Sequence, residues 1–369
     1  MIGINATILG QRPSGLGVCA KNIIEELDRQ GVDFVLYTSF TDNLNLSDKN
    51  NKRIHKIRVS IEPLDKVRHF LRGLWLQVIF PWCLKHDGIS LVLNLMPEGP
   101  LLIKTPQVTV VHDLIPIVSK HSHFLQRLNF CVFIPCLLKR STSIMTISQS
   151  SKDDLIRIFN ISKEKIHVVH IAFDDRLFKP SDQPDIKRKF LLDNYFLYVG
   201  NILPHKNLAL LIEAFSRAAL DRSYKLVIAG YKDPRYYSSL CQLITKNLLK
   251  DKVVFLDYLP KSDLPLLMAQ AQALVLPSFF EGFGLTPLEA MACGCPVAAS
   301  DLASVREVCD DAVRYFNPYK PDELAAILKD LSVNGKSRSL LIEKGIQRAK
   351  VFSWEKCVKN LIALIKGVE

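Results

Sequence analysis

Four stretches of this 369-residue chain combine residue types that can do chemistry, and the most specific runs from Leu276 to Val297. Within it Glu281 and Glu289 stand eight positions apart around Gly282-Phe283-Gly284-Leu285-Thr286, and Pro287 is well placed for the first turn of a helix expected over Pro287–Ala292. Glu281 then lies before a turn and Glu289 one turn into the helix, with the amides of Gly282 to Leu285 facing a ligand between them. Two carboxylates so placed suit the hydroxyls of a sugar or a ribose, because each accepts two hydrogen bonds from a diol. Two acids at this spacing arise often by chance; two acids around Gly-Phe-Gly-Leu-Thr-Pro do not.

The second stretch, Tyr198 to Asn207, closes an apolar strand and is expected to open a helix over Lys206–Ala218. A lysine at a helix N-terminus beside a glycine turn is built for a diphosphate: amides around Gly200 and Asn201 donate hydrogen bonds and Lys206 supplies charge. The bland alternative is a solvated surface lysine. In the third stretch His112 and Asp113 follow the apolar run Val108–Val111. They read either as a structural pair or as a histidine that bonds a substrate hydroxyl or shifts a proton near pH 7. The fourth, Pro13-Ser14-Gly15-Leu16-Gly17-Val18-Cys19-Ala20, puts two glycines ahead of a helix expected from Val18, where amides approach a phosphate closely. It fits a dinucleotide fingerprint, but Thr38-Ser39-Phe40 follow the second strand where that fingerprint needs a ribose-binding acid. A loop facing an interdomain cleft, a plain turn and, least of the three, an NAD(P) site remain as readings.

The elements that must position these groups alternate short β-branched strands with helical patterns of 10–15 residues. Strands are predicted at Ile2–Ile8, Phe34–Thr38, Ile89–Leu95, Val108–Val111 and Ser143–Ile147, with helices at Val18–Arg29, Phe124–Lys139 and Lys152–Phe159. A polar stretch from Asp174 to Asp185 interrupts the rhythm. It resumes with strands Phe196–Val199, Lys225–Ala229, Val253–Leu256, Ala273–Leu276 and Pro296–Ala298. The expected fold class is α/β, two doubly wound domains over residues 1–180 and 181–352, with functional groups beyond the carboxyl ends of the strands. A final helix, Trp354 to Lys366, spaces Val358, Leu361, Ile362 and Ile365 to pack one face.

At these residues the chain resembles family 4 of the retaining nucleotide-sugar glycosyltransferases with the GT-B fold. The resemblance covers most of the chain in order: Ser14 to Gly17, His112-Asp113, Thr146 to Leu155, Gly200 to Asn207, Glu281 with Glu289, and more loosely Ser300 to Val308. It implies two Rossmann-like domains facing each other across a cleft. The acceptor would bind the first and the nucleotide sugar the second, with helix 353–369 crossing back onto the first. It also implies roles: Lys206 on the donor diphosphate, Glu281 beside the donor sugar, Glu289 on the ribose, Gly15 and Gly17 near the phosphates, and His112 near the reacting sugar. Many members place an arginine near the lysine; here His205 and Asn201 stand in those places. The resemblance further implies a hexosyltransferase of polysaccharide assembly, with GDP-mannose or UDP-glucose as donor and a glycan or lipid-linked glycan as acceptor. A GT-B sugar-nucleotide epimerase and a non-catalytic nucleotide-sugar scaffold are the alternatives.

No D-x-D triplet is present to hold a metal-bridged diphosphate, so no metal cofactor is expected and Lys206 with helix termini would stabilise the leaving group. Front-face attack, the acceptor proton passing to the departing phosphate, is the mechanism implied by analogy. Nine scattered cysteines without a C-x2-C pair read as reduced packing residues of a cytoplasmic protein. The N-terminus shows neither the basic n-region nor the apolar h-region of a signal peptide, and no apolar run approaches the roughly 20 residues of a membrane span. Charge is the composition's odd feature: 48 Lys+Arg against 37 Asp+Glu leave +11. Residues 1–180 hold 23 basic and 16 acidic side chains, and Lys49 to Arg72 alone carries eight basic against two acidic, leading into Phe70 to Leu76. The basic residues lack the interleaved aromatics of a nucleic-acid binder. A basic stretch leading into an apolar, Trp-bearing helix suits an anionic membrane surface, at the inner face of the cell membrane, as well as a solvated face beside a core helix.

Overall fold

A computed structural model describes residues 1–10, 15–41, 44–57, 66–118, 124–180, 192–257, 259–260 and 262–368. The chain forms two compact units, one of Met1–Ile171 with Trp354–Glu369, the other of Ala172–Ser353. The division thus falls after Ile171, earlier than a boundary at residue 180, and the buried Phe173 and Phe178 belong with the second unit.

The first unit is a seven-stranded sheet of β1 (Ile2–Asn5), β2 (Phe34–Thr38), β3 (Ile54–Lys56), β4 (Leu91–Asn94), β5 (Gln107–Val111), β6 (Ser143–Thr146) and β7 (Ile166–Val168). Its strand order is β3-β2-β1-β4-β5-β6-β7, and every neighbouring pair is parallel. The second unit holds β8 (Asn194–Val199), β9 (Tyr224–Ala229), β10 (Val253–Leu256), β11 (Ala273–Leu276), β12 (Val297–Ser300) and β13 (Arg314–Phe316) in the order β10-β9-β8-β11-β12-β13, again all parallel. Central strands read as continuous apolar runs because helices cover both faces of a parallel sheet. β1, β2, β4, β5, β6, β11 and β12 are buried along their whole length. The edge strands β3, β7 and β13 are only three residues long and were not legible as strands.

Both sheets reverse direction beside their first strand. β1 lies between β2 and β4, and β8 between β9 and β11. Successive crossovers leave such a strand to opposite sides, so the loops that follow the two adjacent strands part and open a crevice at their carboxyl ends. The C-terminal helix, Trp354–Lys366, belongs to the first unit. It buries Cys357, Val358, Leu361 and Ile365, and Gln30 at the end of helix Gly15–Arg29 donates from Nε2 to the Glu355 carbonyl at 3.1 Å.

Candidate active site

In the second unit the crevice between β8 and β11 brings together residues 75 positions apart. Lys206 Nζ lies 2.7 Å from Glu281 Oε1, both side chains largely buried. The same carboxylate oxygen accepts from Ser278 Oγ at 2.6 Å, and the Glu281 carbonyl accepts from Ser304 Oγ at 2.7 Å. Ser278 is completely buried, so its hydroxyl is fixed rather than solvent-averaged. Lys206 is not at a helix N-terminus. It ends the 3-10 turn Pro204–Lys206, and Asn207, left-handed at φ 55°, separates that turn from the helix Leu208–Arg217. The reason is the Asn207 side chain. Instead of capping the helix it donates to the carbonyls of Pro277 and Pro318 at 3.0 and 2.9 Å. With the Phe279 amide donating to the His205 carbonyl at 2.9 Å, these bonds staple the lysine loop to the glutamate loop.

The glycine turn after β8 has its own constraint. The Gly200 amide donates to the Ala229 carbonyl, and a Cβ on Gly230 would stand 2.0 Å from the Gly200 carbonyl oxygen, so only glycine lets these two strand ends approach. Asn201 is exposed, and its carbonyl accepts from Tyr198 Oη at 3.0 Å. Burial, with the Glu281 carboxylate adding to it, holds the Tyr198 phenol far above its ordinary range, so Tyr198 stays a neutral donor.

After β11 the helix runs Leu285–Ala292, two residues longer than expected at its start, because Gly284 takes φ 118° and serves as its N-cap. Pro287 sits in the first turn and Glu289 one turn in, half-buried, where its charge adds to burial in pushing the Cys293 thiol up to about 12. Gly282 and Phe283 hold contacts within the fold, the Phe283 ring is buried edge-on against Phe352, and Gly284, Leu285 and Thr286 stand at the helix start. Cys295, like Cys293, is a buried thiol raised to about 12 by burial and is chemically inert.

In the first unit His112 follows β5 directly and is buried, its Nε2 3.4 Å from the Leu95 carbonyl. Burial pulls its pKa down to about 4, against a smaller upward pull from that carbonyl. The imidazole is therefore neutral at pH 7, and its own titration lies well below neutrality. Donation from Nε2 leaves Nδ1 as the acceptor. Asp113 Oδ1 accepts from the Ile115 amide at 2.9 Å, the turn that starts helix Ile115–Val118, which gives it a structural role. Gly15 and Gly17 lie inside the first turn of helix Gly15–Arg29, not ahead of it; Pro13 and Ser14 fall outside the described residues. Among the described residues no group of three or more His, Cys, Asp or Glu side chains is arranged to hold a metal ion.

Ser278, Ser304 and Asn207 carry no role in the sequence reading. The signal for Ser278 was its place three residues before Glu281; Ser304 and Asn207 bond across 23 and at least 70 residues, which no local spacing reveals.

Comparison with known proteins agrees with this geometry. The pattern of Glycosyltransferase Family 4 matches residues 13–177, and that of Glycosyl transferases group 1 matches residues 182–348. The O-antigen chain mannosyltransferase B of Escherichia coli is 31% identical over 266 residues, 70% of each chain. Among solved structures, a sucrose-phosphate synthase from Thermosynechococcus elongatus superposes with a TM-score of 0.80 at 18% identity, over 99% of this chain and 98% of that one. HepE of Anabaena in complex with UDP-glucose superposes at 0.77 with 17% identity over 99% of each chain.

Proposed function

Because the chain belongs to glycosyltransferase family 4 and has the GT-B fold, we propose that it moves a hexose from a nucleoside-diphosphate sugar to a glycan or lipid-linked glycan in cell-surface polysaccharide assembly. The observation that carries this reading is the Lys206–Glu281 pair, 2.7 Å apart and held on both loops of the β8–β11 crevice. An ammonium has three donors, and one bond to Glu281 leaves two for a diphosphate. In the proposed ground state the donor phosphates take those bonds, helped by the amides of Asn201 and of Gly284 to Thr286, since the Gly200 amide is engaged by the Ala229 carbonyl, while Glu281 turns an oxygen to the sugar hydroxyls and Glu289 binds the ribose. The O-antigen relative supports mannose, and HepE, which has this fold, was solved in complex with UDP-glucose.

In the transfer step the bond between the anomeric carbon and the phosphate oxygen breaks, and a bond from that carbon to the acceptor oxygen forms on the same face. The acceptor proton passes to the departing phosphate, and the nucleoside diphosphate leaves with the charge that Lys206 is placed to stabilise. In the first unit the neutral His112 offers Nδ1 as an acceptor to a hydroxyl. With a lysine and helix termini as the electrophilic groups, turnover proceeds without a metal and retains the anomeric configuration. A panel of GDP-mannose, UDP-glucose and other nucleotide sugars, read first by thermal shift and then by transfer in excess EDTA, tests the reading. One donor is expected to raise the melting temperature and give an α-linked product from an α-donor; an epimerase would instead convert the donor when no acceptor is present. Failure of every nucleotide sugar to bind would sink the proposal.

A further inference from the structure

Two helices of the first unit are apolar on both sides. Lys66–His86 packs Phe80 and Leu84 into a cluster with Val92 of β4, and Phe124–Arg140 packs Ile134 and Leu138 into a cluster with Val111 of β5. Val92 pairs with Gln107, and Val111 lies four residues further along β5, so both clusters sit on the same face of the sheet. Each helix keeps a second stripe in water. Leu74, Val78 and Trp82 are exposed and are followed by Lys85; Leu128, Val132 and Cys136 are exposed and are followed by Lys139.

The two stripes have identical spacing, 54 residues apart, and the match extends to the exposed Ile79 and Phe133 and to Pro81 and Pro135 within the helices. Between them the loop from Glu98 is held on Gln77, which donates to the Gly99 carbonyl and accepts from the Leu101 amide, and Leu102 projects from it at 78% exposure. Lys85 ends the first helix ahead of β4, Lys104 precedes β5, and Lys139 and Arg140 end the second helix ahead of β6. The strands are parallel, so these four cations rim one edge of the apolar face, and among the described residues none of them pairs with a carboxylate.

The basic run itself is less open than its composition suggests. Lys49 and Arg53 pair with Asp33, and Arg72 is buried against Glu98 at 2.7 Å. Arg58, Glu62 and Asp65 fall outside the described residues, as do the side chains of Lys66, Arg68 and Phe70.

We propose that the paired stripes, with Leu102 and the rim Lys85, Lys104, Lys139 and Arg140, are a docking surface for an anionic lipid bilayer. This deepens the reading of the chain as a transferase with a lipid-linked acceptor and rests on it. The occupant follows from charge: apolar ridges about 12 Å long by helix rise enter the headgroup boundary while the cations meet lipid phosphates. A second copy on a two-fold axis along the strands would instead set basic rim against basic rim, and one across them would leave both rims without a counter-charge from the named residues. The helices lie on the bilayer, since among the described residues no helix is long and apolar enough to cross it.

The test floats the full chain with phosphatidylcholine vesicles with and without phosphatidylglycerol, alongside Val78→Glu/Val132→Glu and Lys85→Glu/Lys139→Glu, with nucleotide-sugar binding measured on the same samples. The wild type is expected to float with the phosphatidylglycerol vesicles. The apolar double variant should lose at least about tenfold in bound fraction and the charge variant its preference for anionic lipid, all binding nucleotide sugar alike. Flotation unchanged in the apolar double variant, no flotation of a wild type that binds nucleotide sugar, or a wild-type dimer that the same substitutions dissociate would each overturn the surface proposal. Loss of nucleotide-sugar binding in the wild type would strike the transferase reading instead.

Discussion

The strand ends of the two sheets carry opposite chemistry on the same architecture. After β5 in the first unit stands a histidine made neutral by burial, its Nε2 against a backbone carbonyl. After β8 and β11 in the second stands an ion pair with a serine hydroxyl on the shared oxygen. A crevice with fixed positive charge suits a diphosphate, and the carboxylate supplies the counter-charge while it is empty. A neutral imidazole can still accept from a hydroxyl, without the charge. The comparison teaches that strand order places the site, whereas burial decides whether the group placed there is charged.

The largest expected effect removes the charge from the second unit. Lys206→Ala should lower kcat/KM by about 100- to 1000-fold, the range for loss of one preorganised group facing developing charge. Near wild-type turnover at saturating donor would break the contrast.

The next effect belongs to the first unit and is read as stability. His112 is held below its unfolded value of 6.5, at about 4, so the native state binds fewer protons between those limits. Stability from this group is full above pH 6.5 and declines as pH falls toward about 4, by up to about 1.4 kcal/mol per pH unit. Urea midpoints at pH 7.5 and 5 should therefore diverge more in the wild type than in His112→Asn. An equal divergence would mean that the histidine is not desolvated.

Glu281→Gln sharpens the comparison by separating binding from turnover. Freed of its carboxylate rival, Lys206 should hold the nucleoside diphosphate about three- to tenfold more tightly by calorimetry, while kcat falls by about tenfold for want of a strong acceptor on the sugar. The smallest effect is expected of Ser278→Ala, about fivefold in kcat with KM nearly unchanged, from about 1 kcal/mol for the lost hydrogen bond. Ser278→Thr should recover part of it, and an unaltered kcat in the alanine variant would leave the serine with packing alone.

Much of this was legible in residue order. The alternation of strands and helices is a consequence of periodicity, and helix Trp354–Lys366 and strands Phe34–Thr38, Val253–Leu256 and Ala273–Leu276 have the bounds their spacing implies. Lys206, Glu281 and Glu289 were legible because glycines and prolines at fixed offsets mark turns beside strand ends. The lysine turn was not, since a helix start is read from local capping, and Asn207 is engaged by carbonyls 70 and 111 residues away. Nor was the chemistry of His112, because a His-Asp dipeptide looks the same in water and in a core.

The sequence by itself determined the fold class, the positions of the turns that carry charge, and the family, because these depend on period, glycine and proline placement, and local residue type. Tertiary structure decided that Lys206 and Glu281 neutralise each other, that His112 stays uncharged, and that two helices apolar all round present matched stripes to solvent. Those outcomes depend on which distant groups become neighbours and on how much water each retains, and neither quantity is a property of a short stretch of chain.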